Sequence, residues 1–175
     1  MRRAIQHIRF TWELRNVPAE SVALPAKHEI NLQPNPDVET LWEGIQRSFL
    51  NEKSWIVGLE AHLDELRKKT FPDGKPVAGM EVLVLVHGPR VIGVSALQPT
   101  AGVEPQLLSG IILDYEYQRR GLGVALLQAS LRHLAEKGLE TASVITREGI
   151  PAARYLYPKF GGQGSVIDST TPTGV

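Results

Sequence analysis

Gln118-Arg119-Arg120-Gly121-Leu122-Gly123 stands between an apolar run, Leu107 to Leu113, and an alanine- and leucine-rich stretch, Leu122 to Lys137. The run reads as a strand, Asp114 to Arg120 as a loop and the stretch as a helix. Glycine at 121 and 123 lets the backbone turn tightly and approach a ligand with no Cβ in the way. The first N–H groups of a helix have no partner within it, and the macrodipole adds partial positive charge. With Arg119 and Arg120 adding full charges, a pyrophosphate is the natural guest.

Two common phosphate loops do not fit. Gly-x-Gly-x-x-Gly fails because Leu126 holds the place of the third glycine, and the loop is too long for a tight strand-to-helix turn. No Gly-Lys-Ser/Thr follows a glycine-rich loop, since Gly74-Lys75 runs into Pro76. The stretch does resemble the acyl-CoA-binding motif of the GNAT superfamily, the Gcn5-related N-acetyltransferases, Gln/Arg-x-x-Gly-x-Gly/Ala. One helix and one strand later, Ala153-Arg154-Tyr155-Leu156-Tyr157-Pro158-Lys159-Phe160-Gly161 is similar to that family's Ala-x-x-Leu-Tyr-x-Lys-x-Gly segment.

Working outward, the 175 residues suit one domain, from 1 to 175, with an irregular tail from about residue 168. Hydrophobic content of 42% and charged content of 22% are ordinary for a globular protein. Nineteen basic residues balance nineteen acidic ones, so global charge makes no case for nucleic acid or an anionic membrane. Cysteine is absent, which removes disulfides, thiolate metal sites and a cysteine nucleophile. No apolar run approaches the roughly 18 residues of a spanning helix, and Met1-Arg2-Arg3 leads into polar sequence and not an apolar signal region. A cytoplasmic protein is expected.

Alternation of Ile8, Phe10 and Trp12 predicts an opening strand over His7 to Leu14. Asn35-Pro36 reads as an N-cap and first helical residue, opening a helix to about Leu50 with Val38, Leu41, Trp42, Ile45 and Phe49 on one face. A second helix covers Gly58 to Lys69, its Asp64–Lys68 and Glu65–Lys69 pairs on a solvated face. After the Phe71–Gly79 loop, Met80 to His87 and Arg90 to Leu97 form a hairpin around Gly88-Pro89. The apolar run Val82-Leu83-Val84-Leu85-Val86 predicts a strand covered on both faces. Beyond the Gln98–Gln106 loop and the motif, Gly138 ends the long helix and Thr141 to Thr146 is a strand. The strand–helix–strand crossover implies parallel pairing. Ile150-Pro151 opens a last helix, and Ser165 to Ile167 is a short strand.

This order is similar to the GNAT fold from about residue 8 to 168: α/β, a mixed central sheet with splayed parallel strands, here Leu107–Leu113 and Thr141–Thr146, and helices on both faces. The resemblance implies that acyl-CoA, acetyl-CoA by default, enters between those strands as co-substrate. Backbone groups of Ile111, Ile112 and Leu113 would meet the pantetheine. Those of Gln118, Arg119, Arg120, Gly121, Leu122, Gly123 and Val124 would hold the pyrophosphate. Tyr157 matches the family's tyrosine, and a phenol with a reference pKa near ~10 stays protonated at neutral pH and is able to protonate a leaving thiolate. Relatives are often dimers, so a homodimer is expected.

Three positions depart from the family pattern. Ile150 replaces an asparagine at the start of the last helix, Tyr115 stands where proline is frequent, and Pro158 biases Tyr157 away from αR, with Tyr155 the substitute if the phenol turns aside. The motif strand has no central carboxylate. Glu104, Asp114, Glu116 and Glu148 read as solvated loop residues, and a water chain ending on carbonyls or Ser109 is an alternative base. His7, His28, His62, His87 and His133 lack ligand spacing, so no metal site is expected, and Gly93-Val94-Ser95-Ala96-Leu97 fails the Gly-x-Ser-x-Gly elbow. Trp42 reads as core, whereas Trp55, between the first two helices, is expected to line the acceptor pocket with an aromatic face for a cation. The leading function is acyl transfer from acyl-CoA to a primary amine of a small molecule or peptide, by direct attack in a ternary complex. The alternative is a non-catalytic acyl-CoA or CoA-binding module; a dinucleotide oxidoreductase fails on Leu126 and loop length.

Overall fold

A computed structural model describes residues 5–50, 52, 55 and 58–167. The expected tail from about residue 168 lies outside the described residues. The apolar hairpin organises the chain: β3 (Glu81–His87) pairs antiparallel with β4 (Arg90–Leu97), which pairs antiparallel with β5 (Leu107–Leu113). Strand β2 (His28–Gln33) adds to the other edge of β3. A second sheet has β1 (His7–Glu13) at its centre, between β6 (Thr141–Arg147) and β7 (Gln163–Ile167), again antiparallel.

The side chains of β3 alternate between two cores, as the period of two demands. Leu83 and Leu85 pack in the core that holds α3 (Leu122–Glu136), where Leu126, Leu127, Leu131 and Leu134 are fully buried. Val82 and Val84 face α1 (Val38–Phe49) and α2 (Leu59–Thr70) through Trp42, Ile45 and Leu66. Helices therefore cover both faces of the four-stranded sheet, and Trp42 is core. Each buried side chain of this size contributes about 1.5–3 kcal/mol of transfer free energy.

Several expectations are corrected. Every ladder among the described residues is antiparallel, and β5 and β6 share none. The crossover helix α3 thus carries the chain from the edge of one sheet to the edge of the other, leaving a gap where a parallel pair was expected. The N-cap of α1 is Asp37, not Asn35: its carboxylate accepts from Thr40 N at 3.4 Å and from the Thr40 hydroxyl at 2.8 Å. Strand β2 was not anticipated, because Glu29, Asn31 and Gln33 make it a half-polar edge. The last helix is a single π-helical turn, Ala152–Leu156. Despite Pro158, Tyr157 keeps αR geometry (φ −66°, ψ −23°) and its N–H reaches the Ala152 carbonyl at 2.9 Å. The i→i−5 closure holds the residue where local preference alone would not.

Candidate active site

The glycine loop leaves β5 through Asp114, which is not solvated as expected. It is 6% exposed and ion-paired with Arg90 at 2.9 Å and Arg47 at 3.9 Å. A 3₁₀ turn, Tyr115–Tyr117, follows, and the Gln118 amide donates to the Leu113 carbonyl at 3.2 Å, tying the loop back to its strand. Arg119 and Gly121 both take left-handed backbone, φ +64° and +78°. For arginine that geometry is uncommon, and such strain collects at ligand-holding turns. Gly121 caps α3 without any side-chain hydrogen bond, so the helix start presents its N–H groups outward.

These features open on a cleft of about 990 Å³ running between β5 and β6. That volume suits a large small-molecule ligand. Gln118, Arg119, Gly121, Gly123 and Val124 line one end, and Ile111, Ile112 and Leu113 line the β5 wall. Two of the residues whose backbone was expected to hold the pyrophosphate turn their side chains away from the cleft. Arg120 lies with its guanidinium carbon 5.7 Å from the Tyr117 ring, and the Leu122 side chain is 2% exposed in the core. Ile150 lines the cleft as an apolar contact where the family pattern has an asparagine.

The middle of the cleft is shaped by a bulge. Ser95 pairs with Ile111 and Leu97 with Leu107, so Ala96 alone faces Leu108 to Gly110. The missing ladder bond is replaced by a side chain: the Ala96 N–H donates to the Ser109 hydroxyl oxygen at 2.9 Å. Gly110 sits at φ +65°, and the Ile111 N–H then donates to the Tyr157 hydroxyl at 3.0 Å. A glycine inside a strand pattern is itself a bulge signal that sequence reasoning left unused. The Tyr157 ring is buried beside Phe10 and Trp12, with centroids 5.7 and 6.0 Å away. Burial pushes its phenol up to about 12, against a smaller lowering by the Ile111 hydrogen bond.

The far end is an aromatic wall. Trp55 is 7% exposed, stacks on His62 at 4.0 Å and meets Phe49 edge-on at 5.4 Å, while the Arg147 guanidinium carbon lies 5.2 Å from its centroid. His62, which carried no motif signal, lines the cleft here. Its pKa is lowered to about 4, by burial first and then by Lys69, Arg147 and His7. The unfolded chain therefore takes up this proton before the folded one as pH falls. The associated stability is complete above about pH 6.5 and is lost downward through about 4. Urea unfolding of His62→Gln at pH 7 and 4.5 is expected to show a smaller acid loss than the parent; an equal loss would remove His62 as its source.

Residues 78–161 match the family model described as Acetyltransferase (GNAT) domain. The GCN5-related N-acetyltransferase from Sphaerobacter thermophilus superposes with a TM-score of 0.60 at 17% identity, over 94% of this chain and 50% of that one. The tandem GNAT protein from the clavulanic acid biosynthesis pathway gives 0.59 at 15% identity, over 93% and 51%. The GCN5-related N-acetyltransferase from Kribbella flavida gives 0.55 at 13%, over 93% and 56%. The chain thus spans about half the length of these structures. Among curated proteins no sequence matches. The matched span holds the hairpin, the bulge, the glycine loop and Tyr157, and the chain accordingly carries a GNAT acetyltransferase domain at residues 78–161, set in a GNAT fold.

Proposed function

We propose that this chain moves an acyl group, acetyl by default, from acyl-CoA to a primary amine by direct attack within the cleft, with Tyr157 as the general acid. The observation that carries this reading is the Tyr157 hydroxyl. One of its lone pairs is engaged by the Ile111 N–H at 3.0 Å, so its proton is left to donate into the cleft. The glycine loop at one end suits the pyrophosphate, and the β5 edge suits the pantetheine amides. The Ile111 donor is already used by Tyr157, which leaves the strand's other backbone groups for that contact.

In the reaction the amine nitrogen forms a bond to the thioester carbon, the carbon–sulfur bond breaks, and the amine's proton passes to solvent water, from which the Tyr157 phenolate regains the proton it has given to sulfur. Tyr157 supplies a proton to the departing sulfur. A phenol held near 12 stays protonated throughout the neutral range, and its donation follows the charge that builds on sulfur in the transition state. Release of free CoA in the presence of a mixed panel of primary amines tests the reading. Amine-dependent release is expected. Intact acyl-CoA binding with no release across the panel would leave a binding module instead.

The bulge sets where that hydroxyl lies. A Cβ built on Gly110 comes 2.6 Å from the Tyr157 oxygen and 3.5 Å from Val144, on backbone at φ +65°. Gly110→Ala is therefore expected to fold with a lowered melting temperature and a displaced phenol. The kcat should fall by up to about 10², the cost of an ångström-scale misplacement, with the KM for acetyl-CoA moving less. An unchanged kcat would show that the hydroxyl position does not limit the reaction.

A further inference from the structure

Trp55 does not offer an open ring to an incoming ammonium. Its ring is engaged by the chain's own Arg147 and by the stacked His62. A cationic acceptor group placed against that ring would meet a guanidinium of like charge. The basic groups at this end come from three elements: His7 from β1, Lys69 from α2 and Arg147 from β6. Burial first, and then Lys69, Arg147 and His7, lower the pKa of His62 and keep its imidazole neutral. Two acids, Glu52 and Glu65, also line the cleft. A cleft that holds two strong cations and two acids does not suit a doubly charged phosphate, nor a polyamine. It suits a molecule with one negative and one positive group.

Resting on the acyltransferase reading above, we propose that the acceptor is an amine that also carries a carboxylate, its carboxylate held at the Arg147–Lys69 end and its amine turned toward Tyr157. Arginine's planar fork matches a carboxylate, and Lys69 adds a point charge on the neighbouring helix. The neutral ring of His62, stacked on Trp55, supplies an apolar floor between the two ends without adding a charge of its own.

The test uses the full chain and three acceptors of one carbon skeleton: an amino acid, its primary amide, and the amine lacking the carboxyl group. In steady-state CoA release the amino acid is expected to exceed both others in kcat/KM by at least about tenfold, the size of one charge-assisted hydrogen bond. Lys69→Met should shrink that ratio by raising the KM for the amino acid, with the KM for acetyl-CoA little changed. A second arm measures calorimetric binding of the N-acetylated amino acid and of its amide to CoA-saturated protein, and it does not depend on turnover. Preference for the acid there supports the carboxylate site even if no acceptor is turned over, in which case only the catalytic reading fails. Turnover with equal kcat/KM for all three acceptors, or equal binding of acid and amide, overturns the proposal.

Discussion

Tyr157→Phe is expected to lower kcat by roughly 10² to 10⁴, the usual size of general-acid assistance, with acetyl-CoA affinity near the parent's. The substitution keeps the ring between Phe10 and Trp12 and deletes only the hydroxyl. Stability should fall as well, because the Ile111 N–H loses its acceptor in a buried setting, at a cost of about 1–3 kcal/mol. A second signature separates Tyr157 from other tyrosines. Its pKa is raised from 10.0 to about 12 by burial, so the associated stability is complete below about pH 10 and is lost as pH rises to about 12. The parent should lose more stability over that window than Tyr157→Phe does. Tyr155 is 71% exposed, and Tyr155→Phe should leave kcat near the parent's. A Tyr157→Phe variant with parental kcat, under conditions where chemistry limits the rate, would remove the residue from the mechanism.

The parts of the fold that were legible in the sequence are those where one period dominates. The strand Leu107–Leu113 and the start of α3 at Leu122 were placed to the residue, because an apolar run and a leucine repeat meet at a glycine pair. The both-face burial of β3 followed from five consecutive aliphatic residues. What escaped was set by partners far away in the chain. Strand β2 exists because β3 offers it an edge, and its own alternation of Ile30 and Leu32 with polar neighbours is too short to announce it. The N-cap moved from Asn35 to Asp37 because Thr40, three residues after Asp37, offers its carboxylate two donors, a backbone N–H and a hydroxyl, where Val38 would offer Asn35 only an N–H. The pairing of β5 and β6 failed for a different reason. Crossover rules assume that both strands join one sheet, and here each is an edge of its own.

The site was legible where backbone chemistry needs a particular residue and opaque where side chains meet across the cleft. Gly121 and Gly123 mark themselves, and Tyr157 is a candidate through the resemblance of Ala153–Gly161 to the GNAT segment. The role of Gly110 was written in the strand as an isolated glycine, but only the Tyr157 oxygen above it shows why no Cβ is allowed. Asp114 looked like a loop acid because Arg90 and Arg47 come from elements far from it in sequence. The Trp55 wall is the clearest case. An aromatic residue between two helices suggests a cation, yet the cation beside it is Arg147, supplied from the end of β6. No local pattern encodes that meeting.

Gly123→Asp is expected to separate folding from acyl-CoA binding more sharply than any other change in the glycine loop. A Cβ at Gly123 meets nothing nearer than the Leu156 methyl groups, at 3.7 and 3.9 Å, which is ordinary contact, and the position lies in helical backbone just after the Gly121 cap. An aspartate in the first turn favours the helix through the macrodipole, by about 0.3–1 kcal/mol, so the variant should melt at or above the parent's temperature. Gly121 offers no such separation, since its φ of +78° would strain any side chain whatever the ligand does. For the ligand the same carboxylate is damaging. It puts a negative charge where the helix start would receive the pyrophosphate, and two like charges 4 Å apart cost about 4 kcal/mol at an effective dielectric near 20, roughly a thousandfold in Kd. Gly123→Ala, which adds the Cβ without the charge, should lose far less. Calorimetric titration that finds near-parental acetyl-CoA affinity in a folded Gly123→Asp protein would move the pyrophosphate away from the start of α3 and with it the whole orientation of the substrate in the cleft.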